Sequence, residues 1–352
     1  MHFNSTPGLR SKSRSRVEVR RSWGKRPSQA DPISALVRPK VMTSFPTDRH
    51  GLIRRTATLR LGINDDAVTA AVRRGELIRL APGVCALAAD EASAEDPGDR
   101  LYRLRSIAVA TSVRDCDASI LSHDSAAAVH ELPLLHPERE VVHLTKKSKV
   151  GGFGHGLRIV HAGPVAPDEV VDIGGIRVTS RERTAVDVAM SGDFAQALAV
   201  FDRALASGAD IATMTRILAS RNRWRGAGTA RRALAHADGA SESVGESWSR
   251  AQMIEAGLPT PRLQHTFQTD AGDARTDFDW DGTLVGEFDG LQKYGRLLRQ
   301  GESPRDALIR EKRREDALRA QGIMVIRWTW GTLERGGLAN LLRPWLDKLT
   351  AA

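Results

Sequence analysis

The chain has 352 residues, 41% hydrophobic and 27% charged, the balance of a soluble globular protein. No apolar run approaches the roughly 18 residues a membrane span needs. Its two cysteines, Cys85 and Cys116, exclude a disulfide framework or a cysteine zinc site and suit a reducing cytoplasm.

The net charge of +9 invites a nucleic-acid partner, but residues 1–41 hold ten Lys or Arg against two acids, so +8 of it sits there. That segment is rich in Ser, Arg and Pro without an apolar period, which predicts a disordered basic leader. Three readings stay open: a basic arm adding phosphate affinity, an inert tail, and a translation start at Met42. The last is preferred because patterned sequence begins just after Met42. In 42–95, Leu52–Arg60 predicts a short helix and Leu61-Gly62-Ile63 a turn. Asn64 caps a second helix, with Asp65 and Asp66 in its first turn and Ala67, Val68, Ala71 and Val72 as its apolar stripe. Leu77–Leu80 and Val84–Leu87 flank the Pro82-Gly83 turn as a wing. Helix, turn, helix, hairpin is the plan of a winged helix-turn-helix. Seven Arg against three acids between Arg49 and Arg79 give a local +4. Arg54, Arg55, Arg60, Arg73, Arg74 and Arg79 are the candidate phosphate contacts, with a protein-binding winged helix as the alternative.

Through LGINDDAVTAAVRRGELIRLAPGVCAL, and above all its Arg-Gly-x-Leu-x-Arg-x-x-Pro-Gly-Val-x-Ala-Leu ending, this segment resembles the N-terminal domain of AbiEi-type antitoxins of type IV toxin–antitoxin systems. The resemblance implies DNA binding, at its own promoter for instance, and a cognate toxin as a second partner.

Residues 96–238 read as a mixed α/β region. Leu101–Ser112 and Ser122–Glu131 predict helices, and Val141–Thr145, Leu157–His161 and Ile176–Thr179 short strands. Gly151–Gly154 reads as a hairpin turn. Thr179-Ser180-Arg181-Glu182 reads as a capping box opening a helix at Arg183–Met190, followed by helices Phe194–Ala206 and Ile211–Arg221. VTSRERTAVDVA is similar to the second domain of AbiEi-like proteins. Of the six histidines between 123 and 161 (His123, His130, His136, His143, His155 and His161), His123 and His130 share a helical face. No Cys pair or His-Glu motif accompanies them, so all six read as structural.

Residues 241–352 carry the densest chemistry. Ser243–Ala256 predicts a helix, with Glu242 and Glu246 on one face. Arg262–Thr269 reads as a strand. In RTDFDWDGTLVGEFDG (Arg275–Gly290), Asp277-Phe278-Asp279-Trp280 puts acids on one strand face and aromatics on the other. Asp281-Gly282 signals a hairpin, and Leu284–Asp289 gives a second strand with Glu287 and Asp289 on one face. Adjacent strands would gather four carboxylates, which repel unless a cation sits among them. Oxygen-only ligands suit Mg²⁺ or Mn²⁺; a solvated acidic hairpin is the alternative. Pro304–Ala320 predicts a charged helix, Gly322–Trp330 a strand covered on both faces, and Leu338–Leu349 a closing helix.

The order α-β-β-β-α-β, with the linked runs GES, AGLP, RTDF, GEFDG and EKRREDALRAQG, resembles the PD-(D/E)XK restriction-endonuclease-like core, closest to a branch that looks like very-short-patch-repair endonucleases. The resemblance implies metal-dependent phosphodiester hydrolysis. Glu246 would orient or hydrate the metal, Asp277 would be the central ligand and Glu287 the second. The pattern asks for lysine two residues later, where Asp289 stands. Lys293 or Lys312 would then have to reach in, or Asp289 would serve as a third ligand. Tyr294 stands where related domains often carry His. Arg313, Arg314 and Arg327 read as phosphate contacts, the first two alternatively as partners of Glu311, Glu315 and Asp316. Trp280, Trp328 and Trp330 read as core.

The expected architecture is α/β and α+β multidomain: leader 1–41, winged helix 42–95, mixed α/β middle 96–238 and nuclease-like 241–352. The expected function is a DNA endonuclease with an antitoxin-like front. The alternative is a non-catalytic DNA-binding regulator or antitoxin-like protein with a degenerate nuclease fold; a third reading acts on RNA. No membrane is expected.

Overall fold

The computed structural model describes residues 44–88, 96–112, 119–147, 152–290 and 303–350. The expected leader with its Met42 start, Cys116, Lys293 and Tyr294 lie outside them. Phe45–Ala352 forms one compact unit, whose described residues make helices and three sheets.

The front runs β1 (Leu52–Arg54), α1 (Arg55–Arg60), α2 (Asp65–Arg73), β2 (Leu77–Ala81) and β3 (Val84–Leu87). The expected helix Leu52–Arg60 is therefore a strand for its first three residues. Leu52 and Ile53 are buried and pair with Ala86 and Cys85 in a sheet of order β1-β3-β2, so sheet pairing decides their conformation. Asn64 caps α2 as expected, its side chain accepting from Ala67 N at 2.9 Å. Leu52, Leu80 and Val84 join the same apolar core as Ile107, Val109, Leu121 and Leu144.

That shared core rests on the middle sheet. Its elements are α3 (Pro97–Ala110), β4 (Ser119–Leu121), α4 (His123–Val129), β5 (Val142–Lys146), β6 (Phe153–His155), β7 (Arg158–Ala162), β8 (Val170–Ile173) and β9 (Ile176–Thr179). The sheet order is β6-β7-β5-β4-β9-β8, with β5/β7 and β4/β9 parallel. The expected turn at Gly151–Gly154 is corrected: Phe153–His155 pairs with β7, and the reversal moves to Gly156, whose φ is +57°.

Four helices follow: α5 (Arg181–Ser191), α6 (Phe194–Ala206), α7 (Ile211–Ala219) and α8 (Ala227–Ala235). Fully buried alanines (Ala185, Ala189, Ala197, Ala204, Ala230, Ala233) let them pack closely. Ser180 caps α5 through Arg183 N at 3.2 Å. Glu182 does not close the expected box; it accepts from Asp210 N at 3.3 Å.

The last stretch is α9 (Val244–Glu255), β10 (Arg262–Thr269), β11 (Gly272–Trp280), β12 (Leu284–Asp289), α10 (Pro304–Ala320), β13 (Met324–Thr329), α11 (Trp330–Glu334) and α12 (Leu338–Thr350). Its sheet is ordered β10-β11-β12-β13, antiparallel through β12, with β13 parallel to β12. Asp281 and Gly282 both have positive φ (52° and 70°) in the three-residue turn that links Trp280 to its strand partner Leu284. β13 lies at the sheet edge and is covered on both faces as expected, Val325 packing with Leu318 on one side and Ile326 and Trp328 with Leu342 on the other, while Trp330 opens α11 instead of extending the strand. Trp280 and Trp328 are core, with Nε1 donating to Pro259 O (2.9 Å) and Ser249 Oγ (2.8 Å). Among the described residues, no helix is long and apolar enough to cross a membrane.

Candidate functional site

The acids of the last sheet lie near one another along the chain fold, but each has a partner of its own. Ser243 caps α9, accepting from Glu246 N at 3.2 Å. The Glu246 carboxylate, 2% exposed, accepts in return from Ser243 Oγ (2.7 Å), Glu242 N (2.8 Å) and Gln264 Nε2 (2.9 Å). It holds the helix entry. Asp279 is buried on the face toward β10, where Arg262 (2.5 Å) and His265 (3.0 Å) meet its Oδ2 and Gly282 N donates to Oδ1 at 2.8 Å. Asp277 is half-buried and accepts from Phe288 N at 2.9 Å.

Glu287 departs furthest from the expected metal ligand. Parallel pairing of β12 with β13 sets it opposite Arg327, whose Nη2 lies 2.9 Å from Oε2. From α10, Arg314 Nη2 donates to both oxygens, at 2.7 and 2.8 Å, while its Nη1 holds Arg275 O at 2.9 Å. Burial pushes the Glu287 carboxyl up in pKa against the pull of both arginines. Glu311 closes the network by pairing with Arg314 (2.6 Å) and with Arg327. Burial raises its pKa too, but the two arginines outweigh that and bring it down to about 2. Arg314 thus pairs with Glu311, the alternative expected for it, and Arg327 faces Glu287, Glu311 and Glu315. Asp289 is half-buried at the end of β12, and Lys312 and Arg313 are exposed on α10. Asp277, Glu287 and Asp289 do not converge: among the described residues, the one set of three or more His, Cys, Asp or Glu with ligand atoms all within 4.8 Å lies elsewhere.

In the front, half of the expected phosphate contacts are committed to acids. Arg54 pairs with Asp48 (2.8 Å), Arg55 with Asp65 (2.7 Å) and Arg74 with Glu76 (2.9 Å). Arg60, Arg73 and Arg79 are exposed at the ends of α1 and α2 and on β2.

The converging set is His123, His143 and His161. His143 comes from β5 and His161 from the neighbouring β7, while His123 opens α4, two residues past the end of β4. Parallel register puts Thr145 opposite His161, and the two-residue strand period puts His143 on that same face. His143 Nδ1 and His161 Nε2 are 2.9 Å apart, and His123 stacks on His161 at 3.9 Å between ring centroids. Burial lowers all three pKa values, His123 far below its usual value and His161 to about 4, with neighbouring rings and Arg183 adding to the drop in both. The rings are therefore neutral at pH 7. His130 Nε2 meets Thr179 O at 2.7 Å, the structural contact expected of it. No local spacing announces the triad: its members are brought together only by strand order.

No protein-family model matches the chain. It is 31% identical over 185 residues to Uncharacterized protein Rv2248 of Mycobacterium tuberculosis strain H37Rv, and equally to Uncharacterized protein MT2308 of strain CDC 1551. Each match spans 51% of this chain and 65% of the relative, just under two thirds of its length. A solved structure, the crystal structure of RV2827C protein from Mycobacterium tuberculosis, aligns over 62% of this chain and 84% of its own at 16% identity. Its TM-score of 0.34 is too low to carry any argument about this chain.

Proposed function

We propose that the chain is a DNA-binding protein of the regulator or antitoxin-like kind, whose last sheet is a restriction-endonuclease-like scaffold without an assembled metal site. The observation that carries the reading is the Arg314 guanidinium bridging both oxygens of Glu287, where the nuclease pattern needs a metal ion. A Mg²⁺ or Mn²⁺ ion would have to displace two arginines from Glu287 and three donors from Glu246. The residues as arranged do not fit such an ion. The element order α9-β10-β11-β12-α10-β13 supports the scaffold. The helix, turn, helix and hairpin of the front, with Arg60, Arg73 and Arg79 exposed, support DNA contact.

The test is a pair of assays on the full chain. A gel shift with DNA from its own promoter region should show retardation that weakens with salt. Supercoiled plasmid with Mg²⁺ or Mn²⁺ should remain intact. Cleavage by the wild type that disappears in Asp277→Ala would replace this reading with the endonuclease one, in which Asp277, Glu287 and Asp289 hold the ion. Absence of retardation at low salt would remove DNA as the partner.

A further inference from the structure

We infer that His123, His143 and His161 form a binding site for a divalent transition metal of the zinc class, independent of the DNA reading and of the acids in the last sheet. An all-imidazole donor set selects Zn²⁺ and its neighbours over Mg²⁺ or Ca²⁺, which require oxygen. Zn–N bonds of about 2.0–2.1 Å in a tetrahedron put ligand nitrogens about 3.3 Å apart. The His143–His161 pair stands at 2.9 Å and no pair of ligand atoms exceeds 4.8 Å, so small ring movements close the set around one ion.

Three further observations belong to a ligand site. The rings are in the neutral form that binds metal, and face-to-face contact of His123 with His161 is incompatible with two imidazolium charges. His123 Nδ1 meets Ser122 Oγ at 3.0 Å, the kind of outer contact that fixes a ligating imidazole and leaves Nε2 for the ion. Thr145, on the same sheet face and 1% exposed, has a buried Oγ1 with no hydrogen-bond partner. A water in the fourth position of a three-histidine site would satisfy it. All three histidines are partly exposed, which leaves a path for the ion. The nearby Arg183 charge is already offset by Glu169 (2.5 Å) and Asp187 (2.8 Å), so it does not stand unopposed against a bound cation.

The full chain, prepared without a histidine tag and stripped with chelator, is titrated with Zn²⁺ alone and its metal content measured after desalting. One equivalent is expected in the wild type and in His130→Gln, and none in His161→Gln. Equal content in wild type and His161→Gln, or no zinc retained by the wild type, overturns the site. Because His161→Gln could lose the fold, the zinc-loaded wild type is also read by X-ray absorption. Three imidazole nitrogens in the first shell support the site, and a shell of carboxylate oxygens overturns it in favour of adventitious binding by the acids.

Discussion

Two parts of the molecule solve one problem in opposite ways. The acids around Glu287 and the histidines around His161 are ionisable groups gathered within a few ångströms and partly removed from water. Around Glu287 the charges are kept and matched, with Arg314 and Arg327 set against Glu287, Glu311 and Glu315. Around His161 the charge is given up: the rings shed their protons and stack. The difference decides what each cluster can bind. Matched carboxylates have spent their lone pairs on guanidinium donors, whereas neutral imidazoles keep theirs.

The comparison breaks first where a matched charge loses its partner. Arg183, 2% exposed, joins α5 to Glu169 and pairs with Asp187 one turn along the same helix. Arg183→Met should lower stability by about 3–5 kcal/mol, read from the urea midpoint at constant slope. A loss under about 1 kcal/mol would mean that these charges are not held by one another. Arg314→Met leaves Glu287 with Arg327 alone and should cost about 2–3 kcal/mol. In a Glu287→Leu background the same change should cost less, since only the contacts to Glu311 and Arg275 O are then lost, and an undiminished cost there would show that Arg314 does not act through Glu287.

The histidines predict a pH dependence of definite sign. His161 has its folded pKa lowered from 6.5 to about 4, so the unfolded chain binds more protons between those values. Stability is complete above about pH 6.5 and falls as pH drops from there toward about 4. Thermal midpoints across that window should decline in the wild type and decline less in His161→Gln; identical profiles would remove the histidines as the cause. The smallest effect is expected on the surface. Arg73→Ala should leave stability within about 0.5 kcal/mol while lowering the salt slope of DNA binding by about 1. An unchanged slope would take Arg73 off the DNA face.

Much of the fold was legible because its signals are local. Asn64 before two acids, Asp281-Gly282 between alternating strands, and the Phe194–Ala206 period each need only a few neighbours, and each appears where expected. Leu52–Arg54 was not legible, because three residues carry too little pattern to outvote a following helix, and only pairing with β3 makes them a strand. The acids were legible as a group but their partners were not. Glu287 meets Arg327 through parallel strand register and Arg314 across 27 positions, contacts that no spacing encodes. The histidine triad was missed for the same reason: 20 and 18 positions separate its members, and only the order β7-β5-β4 joins them.

Helix α9 has a consequence for anyone dividing this chain. Its Ala251 packs into the alanine-rich helical core, while Met253 packs into the core behind the last sheet. Gly245 sits so close to the Phe288 ring that a methyl group there would overlap it at 2.0 Å. Arg250 pairs with Asp202 of α6, a side chain fully shielded from solvent. A gene fragment starting at residue 241 would therefore carry a guanidinium whose counter-ion stayed behind on the other piece, and an alanine face with nothing to cover it. The two halves behave as a mortise and tenon: expressed apart, each should be aggregation-prone, and mixed, they should recover solubility together.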